Sequence, residues 1–308
     1  MRRSLALHRF AVVTAAATLG LIFAGGLVTS TESGLSVPDW PLSYGKLMPP
    51  MVGGVRYEHG HRMVATTVGI LTVILAVWLS RREPRRWVRR LGWLAVAAVV
   101  AQGVLGGLTV LFLLPTPISV AHACLAQTFF CLAVAIAVVT SPRWERGSAV
   151  EPVTRLAALT AAAVFLQLMV GAVMRHTKAG LSIPDFPLSL GRVIPPLDTF
   201  PVAIAFAHRA WAVVVTILVA VTLAAAFRSG RSGVSRASLA LGVVLVLQIG
   251  LGAATVLSLK NVAVTTAHVA TGALLLGTAV ALAVGSLSRR RLAVVSSQPV
   301  DAKVVAWK

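Results

Sequence analysis

Apolar runs of about twenty residues recur along this chain, and their length is what most limits how it can fold. A helix of that length crosses the roughly 30 Å of hydrocarbon in a bilayer. The 308-residue chain is 57% apolar and only 12% charged, whereas soluble proteins carry about 25% charged residues. A transmembrane barrel would need alternating segments of about ten residues, and none stand out. The sequence therefore predicts an all-α integral membrane protein.

Eight transmembrane helices are predicted. A signal peptide is the alternative for the first run, but that run exceeds the 7–15 residues of a signal core. The segment 289–308 is polar and is predicted to be a disordered cytoplasmic tail. The eight predicted spans are 10–29, 62–80, 91–113, 118–139, 155–174, 204–227, 237–257 and 262–285.

The basic residues indicate how these spans are oriented. Of the 28 Lys and Arg residues, 20 lie in the N-terminal segment, in alternate loops or in the tail. Because positive charge accumulates on the cytoplasmic side of membrane proteins, both termini are predicted to be cytoplasmic. We interpret the net charge of +19 as an orientation signal that also favours contact with anionic headgroups of the lipid bilayer. Nucleic acid is not an expected partner.

A tandem duplication divides the chain into two halves. Residues 34–43 read GLSVPDWPLS, and residues 180–189 read GLSIPDFPLS, with eight of ten positions identical. Each half holds four spans, so the repeat is parallel and not of the inverted kind found in many transporters. We predict two tandem four-helix bundles, formed by residues 1–145 and 146–288.

Four histidines occupy matched positions in the two halves. His61 corresponds to His208, and His122 corresponds to His268; all four lie at the outward ends of even-numbered spans. Ionisable side chains within a membrane are costly and mark functional sites. Two imidazoles at one depth in a four-helix bundle are typical of haem ligation from both faces. Zinc is less favoured, because no third Cys, Asp or Glu recurs in both halves.

The other histidines and the cysteines have no matched counterpart. His8, His59 and His176 are interpreted as solvated or interfacial side chains. Cys124 and Cys131 lie seven residues apart, about 10 Å along a helix, which is too far for a disulfide. Both cysteines are interpreted as small packing residues.

One carboxylate distinguishes the halves. Glu58 precedes His61 by three residues, so the two share a helix face if the helix includes both, whereas Ala205 stands at the matching position of the second half. A carboxylate beside a haem ligand can transfer protons or stabilise a developing cation, and a site without one suits electron transfer. Glu58 is therefore the candidate catalytic residue. The alternative is that it only pairs with Arg56 or Arg62.

The proline- and glycine-rich segments 34–43 and 180–189 lie in long outward loops. They either cap the haem sites or act as membrane-interface loops anchored by Trp40 and Phe186. The chain resembles the haem A synthase family of eight-span, tandemly duplicated membrane proteins. The resemblance rests on these two segments, on the Glu58-x-x-His61-Arg62 motif, and on the spacing of His122, His208 and His268.

The resemblance implies an oxidoreductase in the cell membrane of a bacterium. That family oxidises the C8 methyl of haem O to a formyl group, with oxygen thought to come from water, and so supplies haem A to terminal oxidases. It implies a haem O synthase as substrate donor and an electron acceptor that the sequence does not identify. The oligomeric state stays open, with a homo-oligomer as one option.

Site roles also follow from the resemblance. His61 and His122 would hold the substrate haem O, and Glu58 would act near its methyl group. His208 and His268 would ligate a haem b that relays electrons. Two competing interpretations are a non-enzymatic dihaem b-type cytochrome and a haem transporter.

Two further points concern single positions. Arg62 and Arg209 each follow a histidine and are expected to contact haem propionates. The chain departs from many bacterial members of the family, which place a cysteine pair in the outward loops, so a disulfide redox step there is excluded. The positions that match those cysteines are Val37, Ser43, Ile183 and Ser189.

Overall fold

The computed structural model describes residues 5–142, 144 and 150–287. Within these residues the regular structure is almost entirely helical, and the only strand-like pairings are two isolated bridges, Ser43 with Lys46 and Ser189 with Arg192. A short 3₁₀ helix covers Ala179–Leu181. The long helices are α1 (Leu5–Ser30), α2 (Val55–Arg82), α3 (Arg86–Leu111), α4 (Thr116–Thr140), α5 (Glu151–His176), α6 (Phe200–Arg228), α7 (Ser232–Leu257) and α8 (Val262–Gly285).

All eight of these helices are long and apolar enough to cross a membrane, which confirms the predicted all-α membrane fold. Most begin several residues before the predicted span. Helix α2 starts at Val55 and so includes both Glu58 and His61. The predicted tail, 289–308, lies outside the described residues. The duplication, the domain boundaries and the cytoplasmic termini stay predictions from the sequence.

Signals in the sequence set several helix ends. Proline occupies the first turn of α4, α5 and α6, where its missing N–H group costs no hydrogen bond. Asn261 caps α8, because its Oδ1 accepts from the backbone N–H groups of Ala263 at 3.1 Å and Val264 at 3.3 Å. Arg81 and Arg82 lie in the last turn of α2, where their positive charges interact favourably with the negative end of the helix dipole.

The helices form two rings of four. In the first bundle, α1 and α3 each pack against both α2 and α4, so that α2 and α4 stand at diagonal corners. The second bundle repeats this arrangement with α5 and α7 packed against α6 and α8. Helix α8 also contacts α1 and α4, and α4 contacts α5. These contacts join the two bundles.

The bundles have two distinct ends. We call the end with loops 31–54 and 177–199 the long-loop end, and the opposite end, with residues 83–85 and 229–231, the basic end. Fully buried hydrophobic side chains concentrate toward the basic end, for example Leu79 and Ile136 in the first bundle and Val153 and Leu241 in the second. Polar side chains on α2, α4, α6 and α8 lie instead at the long-loop end of each bundle.

Hydrogen bonds at the basic end lie both between the bundles and within them. The Trp144 indole donates to the carbonyl oxygen of Val284 at 2.8 Å. The backbone N–H of Val150 donates to the carbonyl of Ser286 at 3.3 Å. His8, predicted to lie in an arm before the first span, is part of α1, and its Nδ1 lies 3.0 Å from the carbonyl oxygen of Ala137 on α4.

The first long loop is fixed to its bundle by an aromatic contact. A Cβ added at Gly107 of α3 would lie 2.6 Å from Cδ2 of the Trp40 indole, which is closer than real Cβ contacts come. The indole therefore rests directly on the helix backbone at this glycine. In the second half the same two positions are Ala253 and Phe186, a larger residue on the helix and a smaller ring in the loop.

This contact predicts a compensating pair of substitutions. Gly107→Ala should displace Trp40 and lower the free energy of unfolding by about 1–3 kcal/mol, a typical cost of overpacking. Adding Trp40→Phe should recover most of the loss, because the ring becomes smaller. Thermal unfolding of the purified protein in detergent measures both. Gly103→Ala on the same helix is the control, since no heavy atom lies within 4 Å of its added Cβ. Equal stability of the two alanine variants would contradict the contact.

Candidate functional site

The four matched histidines lie in the first two or three turns of α2, α4, α6 and α8, at the long-loop end. His61 and His122 are on diagonal helices of the first bundle, and His208 and His268 are on diagonal helices of the second. Each side chain is half-buried. The imidazoles of each bundle are close enough to interact electrostatically. The structure thus brings the predicted histidines together as two pairs.

Every one of these histidines packs against a glycine of the preceding helix. A Cβ added at the glycine would lie 3.0–3.1 Å from the imidazole Cε1, so any other residue would push the ring. The four contacts repeat in the hairpins α1–α2, α3–α4, α5–α6 and α7–α8. They join Gly25 to His61, Gly106 to His122, Gly171 to His208, and Gly252 to His268.

A backbone carbonyl of the preceding helix orients one of the rings. With its Nδ1 protonated, His268 donates to the carbonyl oxygen of Gln248 at 3.2 Å. An imidazole whose Nδ1–H is held by a carbonyl presents Nε2 to a metal, and this second contact fixes its tautomer and raises its basicity.

These residues fit a haem iron better than a zinc ion. Two imidazoles per bundle, each backed by a glycine, would be able to hold a haem iron. Ring nitrogens Nδ1 of His61 and His122 are buried and lack hydrogen-bond partners, as expected of side chains built for ligation and not for packing. Within the described ranges no group of three or more His, Cys, Asp or Glu converges, as a tetrahedral zinc site would need.

Glu58 is buried, with 4% of its surface exposed, and both of its carboxylate oxygens accept hydrogen bonds. Oε2 accepts from the backbone N–H of Val37 at 2.8 Å, and Oε1 accepts from Arg62 at 2.7 Å. The pairing with Arg62, which the sequence left as an alternative, is therefore present. Each carboxylate oxygen can still accept a further hydrogen bond, because each has a second lone pair.

Arg62 forms hydrogen bonds with the backbone of the first long loop. Its guanidinium donates to the carbonyl oxygens of Asp39 at 2.8 Å, Leu42 at 2.9 Å and Val37 at 3.3 Å. Three carbonyls and one carboxylate together accept from most of the N–H donors of the guanidinium. The predicted contact between Arg62 and a propionate stays a prediction, and any such contact would have to share these donors.

Arg209 does the same in the second bundle without a carboxylate. It donates to the carbonyl oxygens of Leu188 and Ile183, both at 2.8 Å, and approaches Ser189 Oγ at 3.4 Å. Ala205, at the position of Glu58, is buried and apolar. The arginine therefore holds its loop without an acid, and its predicted propionate contact likewise stays a prediction.

An aspartate shapes the tip of each long loop. Asp39 accepts from the backbone N–H groups of Gly45 at 2.8 Å and Tyr44 at 2.6 Å, and these bonds, chiefly that from Gly45, hold the pKa of its carboxyl below the ordinary 3.8. Asp185 makes the matching bonds to Gly191 and Leu190, which lower its pKa in the same way. Both loops therefore keep these turns down to acidic pH.

One of the unmatched histidines, His59, is buried beneath the first long loop. His59 is 6% exposed, and its Nδ1 lies 2.8 Å from Ser43 Oγ beneath the first loop, so the prediction of a solvated or interfacial side chain is wrong. Its orientation follows from the helix, which turns His59 away from His61. His176 is half-buried at the end of α5, and its carbonyl oxygen accepts from Thr116 Oγ1 at 3.4 Å.

The junction between the bundles carries a half-buried cation. Arg175 of α5 donates to the carbonyl oxygen of Gly26 at 3.1 Å and to Ser30 Oγ at 3.0 Å, both on α1. It is close enough to His268 to interact with it electrostatically. The guanidinium therefore fixes the two bundles together beside the histidine pair of the second.

Sequence reasoning missed the backing glycines and the glutamines that precede them. The signal was available, because Gly25 and Gly171, like Gly106 and Gly252, are separated by the same 146 positions as the outward loop segments. Their role depends on which helix faces each histidine, and the sequence alone does not give that pairing.

The fold and the site together define a class of protein. It is a multi-pass helical membrane protein with two four-helix bundles, each carrying a pair of histidines that fits a haem. The sequence model of a family described as cytochrome oxidase assembly protein, COX15-CtaA, matches residues 8–53 and 55–280. The chain belongs to this family.

Curated bacterial relatives are similar over most of their length. Heme A synthase of Halalkalibacterium halodurans is 32% identical over 72% of this chain and 76% of its own. Heme A synthase of Symbiobacterium thermophilum is 32% identical over 70% of this chain and 73% of its own. Heme A synthase of Caulobacter vibrioides is 29% identical and covers 88% of this chain and 93% of its own.

The glycine contact predicts how haem retention depends on α7. Gly252→Ala places a Cβ 3.0 Å from His268 Cε1 and should displace the imidazole, weakening haem retention about tenfold, the equivalent of roughly 1.4 kcal/mol. The haem-to-protein ratio after purification, from the pyridine haemochrome spectrum, measures this. Gly250→Ala on the same helix is the control, because no heavy atom lies within 4 Å of its added Cβ. Equal haem content in both variants would refute the contact.

Proposed function

We propose that this protein is a haem A synthase, an enzyme that oxidises the C8 methyl of haem O to a formyl group and so supplies haem A to terminal oxidases. Its membership of the cytochrome oxidase assembly family and its similarity to proteins named Heme A synthase support this function. The observation that supports it best within the site is the difference between the bundles, because only the first places a carboxylate, Glu58, one turn from a haem-ligating histidine.

The reaction requires oxidation in two stages. Each hydroxylation adds oxygen from water and releases two electrons and two protons. The first gives a hydroxymethyl group, and the second gives a geminal diol that loses water to leave the formyl group. Haem O, the substrate, would be held by His61 and His122, with its reacting methyl group near Glu58.

Glu58 supplies the proton chemistry in this proposal. Its carboxylate is fixed by Val37 and Arg62 at 2.8 Å and 2.7 Å, so its position is set before substrate binds. The remaining lone pairs can orient water, accept the released protons, or stabilise positive charge that develops at the methyl carbon. Fixed orientation costs no reorganisation during the reaction.

The second bundle serves electron transfer. His208 and His268 would hold a haem b, which supplies one-electron redox chemistry when bound. The protein contributes glycines that admit the imidazoles, the Gln248 carbonyl that directs His268, and an apolar Ala205 where the first bundle has its acid. Arg175 places positive charge beside His268, which favours the reduced haem on electrostatic grounds.

The protein would lie in the cell membrane of a bacterium, with both termini in the cytoplasm and the histidine pairs toward the outward side. This orientation follows from the distribution of basic residues. A haem O synthase in the same membrane would donate the substrate. The electron acceptor is a further partner that the site does not identify, and the comparisons do not favour a non-enzymatic dihaem cytochrome.

Co-expression with a haem O synthase in a host that makes no haem A tests the function. Haem A, or the hydroxymethyl intermediate, should appear in the extracted haems by mass spectrometry, and the host with haem O synthase alone should contain only haem O and haem b. Haem-loaded, folded protein that yields neither product would rule the function out.

Glu58→Gln tests the division of labour. The amide keeps the shape of the side chain and an acceptor for the Val37 N–H but removes the charge, so haem A formation should fall at least about a hundredfold, the lower range for loss of an acid–base group. The b-type absorbance should stay. His268→Ala is the opposite control and should lose haem b. Wild-type turnover by Glu58→Gln would show that the charge of Glu58 is not used.

A further inference from the structure

A second difference between the bundles lies one helical turn before the backing glycines. In three of the four hairpins this position is a glutamine, and in the hairpin α1–α2 it is a leucine. Leu21 and Gln167 are repeat counterparts, 146 positions apart. The four residues, in chain order, are Leu21, Gln102, Gln167 and Gln248.

The glutamines contact the histidines directly. Nε2 of Gln102 donates to the carbonyl oxygen of His122 at 3.0 Å and lies 3.2 Å from its ring Nε2. Nε2 of Gln167 donates to the carbonyl oxygen of His208 at 2.9 Å and lies 3.2 Å from its ring Nδ1. In the last hairpin the Gln248 amide is farther from the ring of its histidine, at 3.5 Å.

The carboxamide oxygens of all three glutamines are buried and accept no hydrogen bond among the described residues. The amide N–H groups of Gln102 and Gln167 fix the helix turn that carries each histidine, because they donate to its backbone carbonyl oxygen. His268 is held instead at its Nδ1 by the backbone carbonyl of Gln248. A polar contact that fixes a ligating imidazole strengthens its hold on the metal.

His61 has no such neighbour. Leu21 is half-buried and packs against the apolar core of the first bundle, and an isobutyl group neither donates nor accepts. The Nδ1 of His61 is buried without a partner. His122 also has an unpaired Nδ1, but the Gln102 carboxamide is already in contact with its ring. His61 is thus the only one of the four imidazoles without a carboxamide beside it.

We propose that Leu21 makes His61 the exchangeable axial ligand of the first bundle. This inference rests on the proposed function, in which the first bundle must admit haem O and release haem A while the second keeps its haem b. His122 retains the incoming haem, and His61 binds and releases its iron. Leu21 acts through His61 and is therefore a positioning residue. The two glutamine-supported ligands of the second bundle keep their haem in place.

The exchange of an axial ligand can be measured without turnover. The full-length protein is purified with its bound haem and reduced with dithionite, and the rate of carbon monoxide binding is followed by absorbance. Carbon monoxide binds a six-coordinate haem only after one histidine leaves. Two backgrounds assign the phases. His268→Ala should lose the second-bundle haem and leave only the phase of the first bundle, and His122→Ala, which removes the retaining ligand of the first bundle, should leave only the phase of the second.

Reciprocal substitutions give the expected outcome. Leu21→Gln should slow carbon monoxide binding to the first-bundle haem about tenfold, and Gln167→Leu should accelerate binding to the second-bundle haem by a similar factor. Leu21→Met and Gln167→Met are the matched controls, because methionine has nearly the shape of glutamine but no carboxamide. Leu21→Met should behave as the wild type, and Gln167→Met should behave as Gln167→Leu.

Two results would overturn the inference. One is a carbon monoxide rate in folded, haem-loaded Leu21→Gln that equals the wild-type rate. The other is an equal slowing by Leu21→Met, which would assign the effect to packing. Loss of haem A synthesis does not enter these readouts. If the co-expression assay fails but the reciprocal change in rate is seen, the proposed function is wrong and the exchangeable ligand is retained.

Discussion

The contact between an imidazole and a glycine of the neighbouring helix is the constraint on which this structure depends. A histidine that faces the interior of a membrane bundle needs space and a polar partner. The glycine provides the space, because a Cβ there would come within 3.0–3.1 Å of Cε1, and for His268 the carbonyl one turn earlier provides the partner. Two helices must approach closely to give both. The apolar cores at the basic end hold the helices at that spacing.

The long loops add a second layer to this arrangement. In both bundles an arginine next to the first histidine of the pair binds loop carbonyls, and an aspartate closes the turn at the loop tip. The second bundle achieves this with Ala205 in place of an acid. Glu58 is therefore not required for an arginine to hold its loop, and the burial of a carboxylate at that position needs another reason. In the proposed function that reason is chemistry at the substrate.

The sequence was sufficient to predict the spans and the pairing of the histidines, each for its own physical reason. Hydrocarbon thickness fixes the length of each apolar run, and a repeated sequence shows which polar residues within those runs correspond. Gly106 and Gln102 could not be assigned a role in this way, because they act on His122 across a helix pair. The burial of His59 was missed because nothing local indicates that Ser43 folds back over it.

Two of the differences between the bundles concern residues beside the first histidine of each pair, and they fall in the same hairpin. Glu58 replaces alanine and Leu21 replaces glutamine, and both lie in the hairpin α1–α2, whereas the hairpins α3–α4 and α7–α8 share glutamine, glycine and histidine at every matched position. One hairpin in each bundle thus gives a constant, well-supported ligand. The other determines whether that bundle carries an acid and how firmly its second ligand is held. Under the proposed function, the changes in this one hairpin distinguish a bundle where a haem is bound, altered and released from a bundle that keeps its haem.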